Sequence, residues 1–371
     1  MNTPTGPLRI LFVVPSLHGG GAEFVARTWM GWLAERGHTV AVVTTSAKAT
    51  DTYLPDGVVH YQVATAGGHV GKSRALIAIF GGFKPDVAVS LQAHANLVLL
   101  TAAALSPKSR RPPVIISERN LVSLGLADSD LSHKVKIGFA RRMYGRADHV
   151  IAISHPVAGE LVSGFGVSGE RCTVVANPAT AKVAGMDRVT RVPGTDGGLQ
   201  LVLAARLVSQ KRPELAIHAA AELNRRGIPT EVISFGGGPL LDSVTAEAER
   251  LGVSFDDKGW VEDWFSHFQP NSVVVLPSIR EGFGNVLVEA AAAGVPSVAV
   301  SGALGVADAI VPGITGELAL GPTAEQLADA VERASAIDVT GIDAWLDRFS
   351  VGSSGRDLET VLRMVATDGP R

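Results

Sequence analysis

Short runs that are apolar at nearly every position alternate with helix-period segments along this chain, and the alternation occurs twice. The first series of runs reads RILFVV, TVAVVTT, VVHYQV, DVAVSL, PVIIS, HVIAIS and RCTVVA. Helical spacing covers 23–35, 74–80, 96–104, 132–144 and 156–163 between them. A strand without polar alternation has both faces covered, which is the signature of a parallel sheet sandwiched by helices. After Asn177-Pro178 the pattern loosens into ATAKVAGMDRVTRVPGTDGG. It then restarts with LQLVLAA, TEVISFG, SVVVLPS and PSVAVS, separated by helices expected at 213–225, 239–251 and 285–293. The expected class is α/β, with two Rossmann-like doubly wound domains at 1–178 and 199–350. A linker over 179–198 joins them, and a capped terminal helix occupies 351–371. Ligands of such sheets bind outside the carboxyl ends of the strands, so functional motifs should follow strands and face a central cleft.

Composition narrows the class further. The 371 residues leave room for two cores, and 46% hydrophobic against 19% charged residues excludes a disordered chain. A net charge of -3 lacks the basic footprint of a nucleic-acid binder. Cys172 is the one cysteine, which forbids an internal disulfide and fits a reducing compartment. The opening run LRILFVVPSL ends at His18-Gly19-Gly20-Gly21 without a cleavage pattern, so it reads as a first strand and not a signal peptide. No run approaches the roughly 18 apolar residues of a membrane span. A cytoplasmic chain is expected.

Three stretches carry chemistry. In IREGFGNVLVEAAAAG a strand ends, Gly282 and Gly284 allow close backbone approach, and a helix begins at Asn285. Open amides at a helix start bind phosphate oxygens. Glu281 before the helix and Glu289 within it can each accept from vicinal sugar hydroxyls; the plainer reading is a dipole partner and a solvated acid. In LAARLVSQKRPELAI, Arg206 and Lys211 flank a turn after a strand and together can neutralise a diphosphate, or simply decorate a helix start. The turn PSLHGGGAEF departs from a dinucleotide fingerprint, because Phe24 takes the last glycine position and the second strand ends VVTTS without an acid. Gly20 and Gly21 still permit a phosphate or sugar to approach the backbone.

The motifs PSLHGGGAE, ARLVSQKRPELAI, FGGGPL, KGWVED and EGFGNVLVEAAAAGVPSVA occur in this order over 8–320. Together they resemble the family 4 retaining glycosyltransferases, which have the two-domain GT-B fold. The resemblance implies that Arg206 and Lys211 bind the donor diphosphate, Glu289 the nucleotide ribose and Glu281 the donor sugar. Gly20, Gly21 and Gly237 would join the donor site, with Gly282, Phe283, Gly284, Asn285 and Val286 lining sugar and phosphates. No metal or other cofactor is implied. Where most relatives carry a catalytic-site histidine, this chain has Ser117-Glu118-Arg119-Asn120, similar to a subgroup linked to envelope polysaccharides and glycolipids. Glu118 would then serve catalysis or hold sugar hydroxyls or acceptor; the alternative is a salt-bridged Glu118–Arg119 pair at a strand end. His18, His94, Asn96, Arg119 and Asn120 are the acceptor-side candidates. The implied partners are a nucleotide-sugar donor, UDP favoured, and a carbohydrate or lipid-linked acceptor. A sugar-nucleotide epimerase, a small-molecule glycosyltransferase or a silent binding protein of the same fold are the alternatives.

Weaker signals complete the reading. Asp128-Ser129-Asp130 spells a metal-binding D-x-D but precedes a helix, and reads as a helix-cap region. His149 and His155 flank a strand and read as structural. LSHKVKIGFARRMYGR is basic and amphipathic, which suits the anionic inner face of the plasma membrane. The plainer account packs Leu131, Val135 and Phe139 into the core and leaves the charges in water.

Overall fold

The computed structural model describes residues 6–46, 53–63, 67–124 and 131–370. It divides into two compact units, Met1–Pro178 with Ser350–Arg371, and Ala179–Phe349. The first holds a seven-stranded sheet in the order β3-β2-β1-β4-β5-β6-β7. Its strands are β1 (Arg9–Val14), β2 (Thr39–Thr44), β3 (Val59–Gln62), β4 (Val87–Leu91), β5 (Val114–Glu118), β6 (His149–Ala152) and β7 (Cys172–Val174). All pairings are parallel. After its first residue β1 is buried throughout, as its unbroken apolar sequence requires. Helices α1 (Gly21–Glu35), α2 (Gly68–Phe83), α3 (Ala93–Leu105), α4 (Leu131–Met143) and α5 (His155–Gly164) follow β1, β3, β4, β5 and β6.

The second unit has a six-stranded parallel sheet, β10-β9-β8-β11-β12-β13. Here β8 is Leu199–Leu203, β9 Thr230–Ser234, β10 Ser254–Asp257, β11 Ser272–Leu276, β12 Ser297–Val300 and β13 Gly316–Ala319. Its helices are α6 (Pro213–Arg225), α7 (Leu241–Leu251), α8 (Asn285–Ala292), α9 (Ala324–Ser335) and α10 (Asp343–Asp347). The last helix, α11 (Val351–Asp368), is a member of the first unit. Leu358, Leu362 and Val365 enter that unit's core, and the Trp29 indole donates to Ser354 Oγ at 2.8 Å. Gly355 is required there, because a Cβ would stand 2.4 Å from the Trp32 ring.

Two expectations are corrected. Residues 179–198 are not a free linker but a strap on the second unit. Val189 donates its amide to Ala293 and Val192 to Pro270, while the Arg191 guanidinium bonds the carbonyls of Ser272 and Ser335. Fixed backbone carbonyl acceptors, absent from any local pattern, hold this Gly- and Thr-rich segment down. On α4 the core face is Ile137, Ala140 and Met143, whereas Leu131, Val135 and Phe139 point outward. Both faces carry apolar residues at helical spacing, so periodicity alone could not say which one packs. Asp128-Ser129-Asp130 and its cap reading lie outside the described residues.

Candidate functional site

In both sheets the strand order reverses beside the first strand, and at such a point the loops from neighbouring strands diverge to opposite sides and leave room for a ligand. In the second unit this point lies between β8 and β11, and the loops leaving them are fastened together. The Ile279 amide donates to the Gln210 carbonyl at 2.9 Å, and Gln210 Nε2 donates to the Arg280 carbonyl at 3.1 Å. Arg212, in the left-handed region at φ 47°, sends Nε to the Pro277 carbonyl and Nη2 to that of Ser278. This clamp brings Lys211 Nζ onto Glu281 Oε1, which also accepts from Ser278 Oγ at 2.6 Å. Arg206 stands on the same loop, exposed, with no ion pair among the described residues. The loop after β9 presses against it: a Cβ on Gly236 would lie 2.4 Å from the Ala205 carbonyl, and one on Gly238 2.2 Å from that of Leu207. Gly237 between them is exposed and accepts from the Leu207 amide.

Strain gathers around Glu281. Leu304, at φ 57° and ψ -64°, is a non-glycine residue in a rarely populated region and bridges to the Glu281 backbone. Beside it, a Cβ on Gly305 would lie 2.3 Å from the Glu281 carbonyl. Gly284 enters α8 at φ 99° and, having no side chain, supplies no cap to its first turn. Asn285 and Val286 are half-buried at that opening. The Phe283 side chain is buried against Phe349, centroids 5.4 Å apart, which leaves its backbone to line a ligand.

Glu289 departs from its expected openness. It is 1% exposed, with its carboxylate between the Trp264 indole N–H at 3.2 Å and the Lys182 ammonium at 3.6 Å. Burial raises its pKa above the ordinary carboxylate range, against the opposing pull of Lys182 and Trp264. Trp264, Lys182, Ser278 and Leu304 belong to no motif, and their contacts arise only in the fold.

In the first unit the Ser117–Asn120 cluster turns inward. Glu118 is 2% exposed at the end of β5. Tyr144 Oη donates to its Oε2 at 2.6 Å, the Arg119 amide donates to Oε1 at 3.0 Å, and Asn96 Nδ2 is 3.5 Å from Oε2. Every one of these partners is a donor, so the site accepts a carboxylate and nothing else well. Burial lifts both the Glu118 carboxyl and the Tyr144 hydroxyl above their usual values. Arg119 donates Nη2 to Asn177 Oδ1 at 2.6 Å and lies 4.7 Å over the Trp29 ring. Desolvation pulls its pKa down to about 9, still charged at neutral pH. Asn96, fully buried, donates to the Ser117 carbonyl and accepts from Ser90 Oγ. Glu118, Arg119 and Asn96 thus stand in a buried polar network, without a Glu118–Arg119 side-chain salt bridge, in which Arg119 Nε has no hydrogen-bond partner. Asn120 is exposed at the mouth of this turn.

The residues that do face outward lie where β1 and β4 end. His18, Gly20 and Gly21 are exposed, with the His18 ring 5.1 Å from that of Tyr53. Gln92, unmarked in the sequence, has φ 75° and ψ 146° and sends Nε2 to Glu23 Oε1 at 2.9 Å, tying α1 to the end of β4. His94 in the next turn is half-buried, and burial with Lys72 and Lys136 nearby holds its imidazole below the usual pKa.

Residues 19–181 match the family described as Glycosyltransferase Family 4, and residues 191–338 match Glycosyl transferases group 1. The D-inositol 3-phosphate glycosyltransferase of Frankia alni is 30% identical over 233 residues, which are 56% of this chain and 54% of that protein. The GDP-mannose-dependent alpha-(1-6)-phosphatidylinositol monomannoside mannosyltransferase of Mycolicibacterium smegmatis is 28% identical over 60% of this chain and 64% of its own length. The chain thus spans little more than half the length of these curated relatives. Among solved structures, the lipopolysaccharide outer core galactosyltransferase WaaB in its apo form superposes with a TM-score of 0.76 at 18% identity, covering 95% of this chain and 98% of that one.

Proposed function

We propose, from the Family 4 match over 19–181 and the group 1 match over 191–338, that the chain is a GT-B glycosyltransferase and, more finely, a retaining, metal-independent hexosyltransferase. It moves a hexose or N-acetylhexosamine from a nucleotide-diphosphate sugar, UDP favoured, to an acceptor hydroxyl in cytoplasmic polysaccharide or glycolipid assembly. The observation that carries this reading is the Lys211–Glu281 corner, built where β8 and β11 diverge and bordered by exposed Arg206 and the start of α8.

Each part has a chemical task. Arg206, Lys211 and the first amides of α8 stabilise the charge that grows on the leaving diphosphate. Diphosphate binding draws Lys211 from Glu281, whose freed carboxylate then accepts from donor-sugar hydroxyls. Glu289 accepts from the ribose, which takes over the position of the Lys182 ammonium. The bond from anomeric carbon to diphosphate oxygen breaks as the acceptor oxygen forms its bond on the same face. The acceptor proton goes to the departing diphosphate oxygen, so no protein nucleophile is required and Glu281 positions the sugar.

The test incubates the chain with UDP- and GDP-sugars, since one relative is named for GDP-mannose, and with acceptors that include D-inositol 3-phosphate, for which another is named. Release of nucleoside diphosphate with a product of retained anomeric configuration supports the reading. Conversion of the nucleotide sugar without acceptor would make the chain an epimerase, and binding without turnover a silent sugar-nucleotide carrier. A glycosyl-enzyme trapped on Glu281 would contradict the direct mechanism.

A further inference from the structure

We propose that the outer face of α4, with the first turn of α2 beside it, is a docking surface for an anionic phospholipid bilayer. Ile137, Ala140 and Met143 already anchor α4 to the first unit, so the opposite stripe is surplus to folding. That stripe is Leu131, Val135 and Phe139, one turn apart and 76%, 65% and 40% exposed. Three large apolar side chains in a row on a water-facing helix mark an interaction site. Phe139 also rests edge-on against His69 of α2, centroids 6.0 Å apart, and Val70 beside it is half exposed. The apolar surface therefore runs from one helix to the next.

Charge identifies the occupant. Lys134, Lys136, Arg141 and Arg142 flank the stripe, and α4 contains no acid, although the whole chain carries a net charge of -3. Lys72 of α2 adds to this positive field near His69 and His94. An apolar protein partner would explain the stripe but not the cations, and an acidic one the cations but not the stripe. A bilayer with anionic head groups accommodates both, with the stripe below the head groups and the cations at phosphate level. No helix among the described residues is long and apolar enough to cross a membrane, so the contact is peripheral. Leu131, His69 and His94 open their helices on the side where the strands end, the side that also carries His18 and Gly20. The surface stands apart from the proposed transfer reaction, and its test needs no sugar donor.

The test is vesicle flotation, with phosphatidylcholine alone and with about one third phosphatidylglycerol. The wild-type chain is expected to float with the mixed vesicles only, and to be released by salt. Leu131→Asp with Val135→Asp weakens partitioning by at least about tenfold. Lys136→Gln with Arg142→Gln weakens it by about fivefold per cation. Melting temperatures should hold, because Leu131, Val135 and Arg142 are exposed and Lys136 is only half-buried; should the apolar pair fail to fold, the cation pair still reads the surface. Failure of the wild type to bind the mixed vesicles, or binding indifferent to both variants, overturns the proposal. So does a lipid-free dimer, seen by light scattering, that the apolar substitutions dissolve, since the face would then belong to a second copy.

Discussion

Glu118 and Glu281 invite the same reading from sequence, since one ends a parallel strand's apolar run, the other follows one within a short loop, and each has a basic neighbour. The structure separates them by what surrounds the carboxylate. Around Glu118 the donors are the Arg119 amide just past β5, Asn96 of α3 and Tyr144, all buried, and both carboxylate oxygens have a protein donor. Around Glu281 the partners come from loops, with Leu304 held in a strained conformation and α8 entered through Gly284. A carboxylate met on both oxygens by buried donors reads as architecture, whereas a strained corner beside an exposed cation is suited to a ligand.

The sharpest way to break this contrast is through the cations of the second unit. Lys211→Gln should lower kcat/KM by about 100-fold or more, the scale of losing one donor to a developing anion. Arg206→Ala should also lower it by about tenfold or more while shifting stability by no more than about 0.5 kcal/mol, because that side chain is exposed and has no ion pair among the described residues. An Arg206 variant of full activity would detach it from the diphosphate. Glu118→Gln should do the reverse. Its amide NH2 would replace one of the two acceptor oxygens and face a donor there, costing about 1–3 kcal/mol in denaturant unfolding, with the KM for donor unchanged. A stable Glu118→Gln protein that had lost activity would return this residue to the chemistry.

Glu289 sharpens the comparison, because it is as buried as Glu118 yet lies in the second unit. With its folded pKa raised, chiefly by burial, the stability it contributes is present below the unfolded value and lost as pH rises through the folded one. The melting-temperature difference between wild type and Glu289→Gln should therefore move in the variant's favour as pH climbs from about 4 towards neutrality. Nucleotide affinity should fall about tenfold in the same variant, on the scale of a lost hydrogen bond to a charged group. A stability difference that stays flat with pH would mean the carboxylate titrates normally. The smallest effect expected is none: chelation with EDTA should leave the transfer rate unchanged, and a metal-restored loss would refute the metal-independent reading.

Much of the architecture could be read in advance because parallel strands are continuous apolar runs and their helices carry firm stops. Helix α6 spans Pro213–Arg225 as its N-terminal proline and apolar spacing predict. The strands missed were β10, with Asp256 and Asp257, and the four-residue β13 with Glu317; edge strands need no apolar run. The site was partly legible. Motifs located Lys211, Glu281 and the α8 start, but the clamp by Gln210 and Arg212, the strain at Leu304, and the cover of Trp264 and Lys182 over Glu289 depend on segments far apart in sequence. The inward turn of Glu118 could not be read either, since burial of a polar residue at a strand end is decided by its neighbours in space.

Titrating a nucleoside diphosphate into three proteins tests the division between the two acids most directly. Calorimetry should show wild type and Glu118→Gln binding alike, and Lys211→Gln binding at least about tenfold more weakly, in keeping with a lost charge-assisted contact. Equal affinity in all three, or a loss confined to Glu118→Gln, would mean that the nucleotide does not sit where β8 and β11 part.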